Sequence, residues 1–136
     1  MLDEEARQFL IRGELISADT GVRAEKLTGG ISSDIWRVDA GSNIFVLKQA
    51  LPELRVSQHW EAPLSRNVNE VNWIREVTGI TPDAVPKVLY CEPGAKMFAM
   101  EFLKGSTWKE KLLRGEVDIQ FAAQVGEILG KIHQST

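Results

Sequence analysis

Residues 44–48, Ile-Phe-Val-Leu-Lys, form an apolar run that ends in a lysine, and this run limits the fold more than any other part of the chain. Turn-forming residues at 39–43 separate it from a second strand-like run at 34–40, so the two runs are predicted to pair as an antiparallel hairpin. A lysine that ends a buried strand is either an edge residue whose ammonium reaches solvent or a cation held in a cleft. Either alternative requires a sheet with a buried face.

The rest of the chain supplies the other elements of an α+β domain. Helices are predicted over about residues 3–12, 66–78, 107–114 and 119–135, with Ser106 as the cap of the third; strands are predicted over 22–28, 34–40, 44–48, 87–92 and 96–103. The last helix carries an apolar stripe, which consists of Phe121, Val125, Ile128, Leu129 and Ile132. The predicted architecture is a five-stranded antiparallel sheet with a packed helix, followed by one or two C-terminal helices.

Composition and charge narrow the classes of partner. The 136 residues are 43% hydrophobic and 26% charged, which is typical of a globular domain, and the net charge of −3 gives no support to a nucleic-acid partner. The single cysteine, Cys91, cannot form an internal disulfide. No apolar run approaches the ~20 residues that span a bilayer, and the acidic start lacks the apolar core of a secretion signal. We therefore expect a cytoplasmic protein with no membrane partner.

A glycine pair is the first candidate for chemistry. Gly29 and Gly30, followed by Ser32 and Ser33, lie between two predicted strands. Backbone N–H groups that converge where no side chain blocks approach bind phosphate, and the two hydroxyls add donors. A plain hairpin turn gives the same pattern, and no Gly-Lys-Ser/Thr follows, so this is not a Walker loop.

Lys48 and Glu70 form the second candidate. A lysine that contacts the α- and β-phosphates of ATP must be held by a carboxylate on a neighbouring helix. Glu70 follows Lys48 by 22 residues, inside the helix predicted over 66–78. A solvated surface glutamate is the alternative for Glu70, but the two residues together favour a nucleotide site more than either does alone.

The end of the last predicted strand offers a place for an adenine ring. Met100, Glu101 and Leu103 lie where the chain leaves the strand, and backbone C=O and N–H groups there are free to bond the edge of a base. The alternative is a plain strand end with a surface glutamate. Other catalytic patterns are lacking: His59 and His133 lie outside any metal motif, and no Gly-x-Ser-x-Gly elbow exists.

In these features the sequence resembles the N-terminal lobe of the aminoglycoside phosphotransferase and choline kinase-like family, which has the protein-kinase-like fold. Five stretches resemble its glycine-rich loop (27–33), third strand with a lysine (45–48), helix with a glutamate (66–73), following strand (85–89) and hinge (98–105). Residues 126–133 resemble the first large helix of its C-terminal lobe. Residues 48–52, with Trp60, Pro63 and Arg66, are most similar to the methylthioribose kinase branch, from which the loop at 28–33 departs.

The resemblance implies an ATP-binding lobe of a phosphotransferase that moves the γ-phosphate of ATP to a substrate hydroxyl. The residues that it assigns to the nucleotide are Gly29, Gly30, Ser32, Ser33, Lys48, Glu70, Met100, Glu101 and Leu103. The glycine-rich loop would cover the phosphates, Lys48 would orient them, and the backbone of Glu101 and Leu103 would meet adenine. Mg²⁺ is expected only together with the C-terminal lobe.

The resemblance also implies a truncated enzyme. The family's catalytic aspartate, its asparagine five residues on and its later metal-binding aspartate follow the segment seen here, and no aspartate of this chain has an asparagine at that spacing. Residues 1–105 would form the kinase-like N-lobe, and residues 106–136 a linker and the first helix of a truncated C-lobe. No catalytic residue is expected in this chain, which alone is expected to be inactive. The small-molecule acceptor would belong to the full-length parent.

Two other interpretations stay open. The lobe is a non-catalytic binding or regulatory module, or the chain is an unrelated α+β domain whose glycines are ordinary turns. Without a C-lobe, the apolar stripe of the 119–135 helix needs cover. It is expected either to fold back on the lobe or to form a homodimer, in which Gly126 and Gly130 would permit close contact.

Overall fold

The structure, a computed structural model, describes residues 1–28, 33–51, 66–92, 94 and 96–136. In chain order its elements are α1 (Glu4–Arg12), β1 (Arg23–Leu27), β2 (Ser33–Asp39), β3 (Ile44–Ala50), α2 (Arg66–Ile80), a 3₁₀ turn (Pro82–Ala84), β4 (Val88–Cys91), β5 (Met97–Glu101), α3 (Trp108–Leu113) and α4 (Ile119–Ser135). The Asp3 carboxylate begins α1 by accepting a hydrogen bond from the Ala6 N–H at 2.8 Å.

The five strands form one antiparallel sheet in the order β1-β2-β3-β5-β4. The predicted hairpin is present, because β2 pairs with β3 and the Ala40 N–H donates to the Asn43 carbonyl at 2.8 Å across the turn. Gly41 has a φ of 81°, which a side chain would disfavour, so the turn requires glycine there. The predicted fold class is confirmed: an α+β domain with a five-stranded antiparallel sheet and a packed helix.

One face of the sheet packs against α1. Phe9 and Leu10 of the helix are fully buried in a cluster with Val38 of β2 and with Phe45 and Leu47 of β3. Burial of an apolar side chain of this size contributes about 1.5–3 kcal/mol to folding. This cluster therefore fixes the two strands that precede and carry Lys48.

The opposite face of the sheet carries α2, and we name it the cleft face. Val71 and Ile74 of α2 pack against Phe98 of β5, and the helix contacts β3, β5 and β4. Val77, three residues after Ile74, is buried as well, whereas Val68, three residues before Val71, is 38% exposed. The helix also runs two residues beyond the predicted end at 78, to Ile80.

A polar strap joins the end of α1 to β4. The Arg12 guanidinium donates two hydrogen bonds to the Glu92 carboxylate, at 2.7 and 2.9 Å, and the Tyr90 hydroxyl donates to the same carboxylate. The Tyr90 ring packs against the Phe9 ring in a tilted arrangement, with 4.9 Å between ring centroids and an interplanar angle of 49°. These hydrogen bonds, from Arg12 first and Tyr90 second, lower the pKa of Glu92 from 4.5 to about 2. Tyr90 also lies against Gly13, where a Cβ would overlap its ring.

The cap of α3 differs from the prediction. Thr107, not Ser106, precedes the helix: its hydroxyl accepts from the Glu110 N–H at 3.1 Å, and the Glu110 carboxylate accepts from the Thr107 N–H at 2.8 Å. This reciprocal arrangement is a capping box, and it requires a Glu or Gln three residues after the cap. Position 110 satisfies that spacing for Thr107, whereas Ser106 has Lys109 in its place.

The apolar stripe of α4 folds back on the lobe in part. Ile132 is buried, and α4 contacts α2, but Phe121 and Leu129 stay 40% and 46% exposed. A cavity of about 370 Å³ lies between the stripe and α2, which lines it with Trp73 and Val77.

No close approach occurs at Gly126 or Gly130 among the described residues: apart from the helix's own backbone, no atom lies within 4 Å of a Cβ built on either glycine. These two glycines therefore impose no packing constraint on α4 within the described part of the chain. The homodimer stays a prediction.

Candidate functional site

The pairing of four strands places one row of side chains on the cleft face. Leu27 lies opposite Ile35, Ile35 opposite Lys48, and Lys48 opposite Phe98. Residues directly opposite each other in a sheet share a face. Because Phe98 packs against α2, the whole row lies on the cleft face. Lys48 is thus flanked by apolar neighbours on both sides.

A second row lies two residues along the strands. Arg37 is opposite Val46, and Val46 is opposite Met100. Side chains of a strand alternate with a period of two, so this row shares the cleft face with the first. Val46 is buried, and Met100 packs beside Phe98. The two rows together give an apolar surface of the kind that a flat ring contacts.

Lys48 and Glu70 meet across the boundary between the sheet and α2. The Lys48 Nζ lies 2.5 Å from the Glu70 Oε1, and the two side chains are 18% and 38% exposed. Because more than a third of Glu70 is exposed, solvent screens the pair and its contribution to stability is small. Its clear effect is geometric, since a charge-assisted hydrogen bond holds the ammonium at the edge of the cleft face. The structure thus brings together these two predicted site residues, and their role toward a nucleotide stays a prediction.

The predicted phosphate cover falls largely outside the described residues. Gly29, Gly30 and Ser32 belong to the part of the chain that is not described. Ser33 begins β2 opposite Ala50 and is 6% exposed. It lies two residues from Ile35 and therefore on the cleft face, at the same end as Lys48.

The predicted hinge follows β5 directly. The Glu101 N–H donates to the Lys87 carbonyl at 2.8 Å, and the Glu101 carboxylate accepts from the Lys87 N–H at 3.1 Å. Beyond Glu101, residues 102–106 form no backbone hydrogen bond with any described residue. Leu103 is 59% exposed. Leu103 thus retains an unbonded backbone, whereas the N–H of Glu101, the other residue expected to meet adenine, is already bonded to Lys87. The contact with adenine stays a prediction.

Arg37 is a cleft-face residue that no sequence pattern singled out. Its guanidinium carbon lies 5.2 Å from the centroid of the Phe102 ring, in the hinge segment. The apolar residues Leu27, Ile35 and Val46 of the same face were not predicted to lie beside Lys48 either. The sequence could have placed Arg37 on this face. Side chains of a strand alternate between the two faces of the sheet, so residues 33, 35 and 37 of a predicted strand share one face and residues 34, 36 and 38 share the other.

Lys26 provides a useful contrast with Lys48. It is paired with Asp34 at 2.9 Å and lies 5.5 Å from the centroid of the Trp36 ring. Lys26 is directly opposite Trp36, which packs in the cluster under α1, so this lysine is on the other face of the sheet. The same sheet therefore carries one ion-paired lysine on each face.

The described residues lack two further features. No three side chains among their histidines, cysteines, aspartates and glutamates are grouped as a metal site would require. None of the helices in the described ranges combines the length and the apolar character that a membrane crossing needs.

Sequence comparison relates the chain to kinases. It is 31% identical to a methylthioribose kinase of Pectobacterium atrosepticum and 30% identical to one of Pectobacterium carotovorum subsp. carotovorum, in each case over 132 residues that make up 94% of this chain and 32% of the relative. A methylthioribose kinase of Yersinia pseudotuberculosis is 28% identical over the same length. No protein-family model matches the chain.

These relatives confirm the expected resemblance to the kinase-like family. The chain spans about a third of the length of the curated relatives that it matches.

Proposed function

We propose that this chain is the nucleotide-binding lobe of an ATP-dependent small-molecule phosphotransferase. Residues 1–105 form the lobe, and residues 106–136 form a linker and the first helix of a second lobe. The cleft face receives the nucleotide, with the base over Val46 and Met100 and the phosphates near Lys48. A cytoplasmic location is part of this proposal.

The ion pair of Lys48 and Glu70 is the observation that carries the proposal. The two groups come from a central strand and from a helix 22 residues further on, and their atoms are 2.5 Å apart. A phosphoryl-transfer site needs a cation at a fixed position, because its catalysis is almost entirely positioning and charge stabilisation. A lysine that served only as a solubilising edge residue would need no such partner.

The hinge and the apolar rows support the same proposal. An adenine ring requires a flat apolar surface and backbone partners along one edge, and residues 102–106 retain unbonded backbone groups beside Met100. The order of the features along the cleft face also fits a nucleoside triphosphate. Base contacts lie at the hinge, and Lys48 lies one row further, toward Ser33.

The complete reaction belongs to a longer protein in this proposal. No cluster of three or more His, Cys, Asp or Glu side chains occurs among the described residues. In this proposal the Mg²⁺ that neutralises the triphosphate takes its protein ligands from the second lobe. The relatives are named for methylthioribose, and we infer that the acceptor is methylthioribose or a closely related small sugar. The 136-residue chain alone binds nucleotide weakly and does not transfer phosphate.

The test is a titration of the chain with ATP, followed by ¹⁵N-resolved NMR, for the wild type, Lys48→Ala and Lys26→Ala. The wild type is expected to show saturable shifts on β3, on β5 and in the hinge segment. Lys48→Ala is expected to weaken ATP binding about tenfold, because it removes a charge-assisted contact with phosphate.

Lys26→Ala is the matched control, since it removes an ion-paired lysine from the opposite face of the same sheet. It is expected to leave the ATP dissociation constant within twofold of the wild-type value. Equal losses in the two variants, or no saturable binding by the wild type, would refute the proposed nucleotide site.

A further inference from the structure

Arg37 and Phe102 form a contact that the proposed phosphate and hinge roles leave unexplained. Arg37 lies in the middle of β2, partly buried on the cleft face, opposite Val46. Phe102 is the first residue after β5, and its ring meets the guanidinium of Arg37 at 5.2 Å. A strand residue is thereby placed over the start of the hinge segment, on the side where the base is proposed to bind.

The Arg37 guanidinium has no carboxylate partner in the described part of the chain. The ion pairs there join Arg12 to Glu92, Lys26 to Asp34, Lys48 to Glu70 and Arg114 to Glu116. Glu25 is directly opposite Arg37 in the sheet, yet the two form no ion pair. Glu25 and Asp39 line the same pocket as Arg37 without pairing with it, and the side-chain contact that its guanidinium makes within the described ranges is with the face of the Phe102 ring. This arrangement leaves its donors and its second flat surface available.

Arg37 is also separated from the phosphate end of the site. Lys48 lies opposite Ile35, two residues before Arg37, which corresponds to about 7 Å along the strand. Arg37 reaches sideways across the sheet toward Phe102, whereas Lys48 reaches toward Glu70 on α2. Arg37 and Lys48 therefore serve different ends of the cleft face.

We propose that Arg37, held by Phe102, is a positioning residue for the nucleotide base: its guanidinium forms one wall of the adenine slot by stacking on the base and makes no phosphate contact. This inference rests on the proposed function. A planar guanidinium stacks on nucleobases, and Arg is better suited to this than Lys because its charge is spread over a flat group. The slot then consists of the apolar row of Val46 and Met100, the hinge backbone and the Arg37 plane.

Three probes separate a base contact from a phosphate contact. Adenosine carries the base and the ribose without phosphates, inorganic tripolyphosphate carries the phosphates alone, and ATP carries all three parts. Dissociation constants of each probe are measured by NMR titration of the 136-residue chain for the wild type, Arg37→Ala, Arg37→Lys and Lys48→Ala.

Arg37→Ala is expected to weaken adenosine and ATP binding by the same factor, about five- to tenfold, and to leave tripolyphosphate binding unchanged. Lys48→Ala is expected to show the opposite pattern, with ATP and tripolyphosphate weakened and adenosine unchanged. Arg37→Lys keeps the charge and loses the plane, so it is expected to lie close to Arg37→Ala for adenosine. Phe102→Leu keeps the bulk and removes the ring face, and a smaller loss of adenosine affinity is expected from it.

The inference is overturned if Arg37→Ala binds adenosine as the wild type does, or if its losses are confined to ATP and tripolyphosphate. In either case the proposed function is still tested separately, by whether Lys48→Ala weakens the binding of ATP and tripolyphosphate. Absence of saturable binding of all three probes to the wild type would overturn both. Thermal unfolding of each variant accompanies the titrations, because a structural role of Arg37 would lower the unfolding temperature without separating the three probes.

Discussion

The ring of Tyr90 lies against the backbone of Gly13, so closely that a single added methyl group would overlap it. Gly13 ends α1, and Tyr90 is on β4, 77 residues later in the chain by their sequence numbers. The contact lets the ring pack against Phe9 while its hydroxyl reaches Glu92. Glycine is required here for space, since its φ of −78° suits any residue.

Substitution of Gly13 by Ala is expected to lower the free energy of unfolding by about 1–3 kcal/mol, the usual cost of overpacking a well-filled contact. Urea denaturation measures this change. Gly21→Ala is the matched control, because nothing lies within 4 Å of its Cβ position, and it is expected to have little effect. Equal stability of Gly13→Ala and the wild type would show that Tyr90 moves aside freely.

The polar strap of Arg12, Tyr90 and Glu92 predicts that the stability of the fold depends on pH. Hydrogen bonds from Arg12 and Tyr90 lower the pKa of Glu92 from 4.5 to about 2. A carboxylate whose pKa is lower in the folded state stabilises the fold above its unfolded pKa, and this stabilisation is lost as the pH falls from 4.5 through about 2. The stability difference between wild type and Glu92→Gln is therefore expected to shrink over that interval.

Urea denaturation at successive pH values measures the difference. Arg12→Ala removes the largest cause of the shift in the Glu92 pKa, so its pH dependence is expected to approach that of Glu92→Gln. A difference between wild type and Glu92→Gln that stays constant down to pH 2 would contradict the account.

A double-mutant cycle tests how Glu70 acts on Lys48. Glu70→Gln removes the charge that holds the ammonium and keeps the size of the side chain, so ATP binding is expected to weaken by about three- to tenfold. Lys48→Ala,Glu70→Gln is expected to bind ATP no more weakly than Lys48→Ala, because Glu70 acts through the lysine. Additive losses in the double variant would instead indicate that Glu70 contacts the nucleotide or its metal directly.

Asn67, in the first turn of α2, is a buried polar residue. The residue is 3% exposed, and neither atom of its side-chain amide has a hydrogen-bond partner among the described residues. A buried polar group without a partner costs about 1–3 kcal/mol. Asn67→Leu is therefore expected to raise the free energy of unfolding by about 1 kcal/mol, measured by urea denaturation.

The exposed Asn69 on the same helix provides the comparison, and Asn69→Leu is expected to be nearly neutral. A loss of stability in Asn67→Leu would show that the amide makes a bond essential to the fold.

The open part of α4 predicts self-association. Phe121 and Leu129 are the stripe residues that remain 40% and 46% exposed after the helix has folded back. Sedimentation velocity of the 136-residue chain is expected to show a dimer at high concentration, which Leu129→Lys weakens by removing apolar contact area. Ile119→Lys changes a side chain that is 81% exposed and outside the stripe, so it serves as the control. A monomer at every concentration would rule out the homodimer.

The sequence predicted the pair of Lys48 and Glu70 because both lie in elements with clear periodicity. The apolar run of β3 predicts the strand, and valine or isoleucine at every third position from 68 to 77 predicts the helix. The need for a carboxylate beside the lysine then joins Lys48 to Glu70. The contact of Arg37 with Phe102 was not predicted, because it depends on β3 lying between β2 and β5. Local patterns assign faces to strands but do not give the order of strands in the sheet.

The contacts of α1 with β4 were not predicted either, because they too depend on how distant elements pack together. Arg12, Gly13, Tyr90 and Glu92 each have an ordinary local explanation as a helix end, a turn or a strand residue. Only the packing of α1 on the sheet reveals that they meet. The cap of α3 is different, since the Glu at position 110 favoured Thr107 over Ser106 by spacing alone and the capping box was readable in advance.

The strand order has a consequence for synthesis on the ribosome. β5 is the last strand to be made, yet it occupies the place between β3 and β4. Until residue 101 has left the exit tunnel, β3 presents its apolar residues and its unpaired backbone as an open edge, the state most prone to pairing with another chain. The nascent protein thus depends on one short late segment to close the sheet, and a slow codon just before residue 97 would prolong its exposure to mispairing and to chaperones.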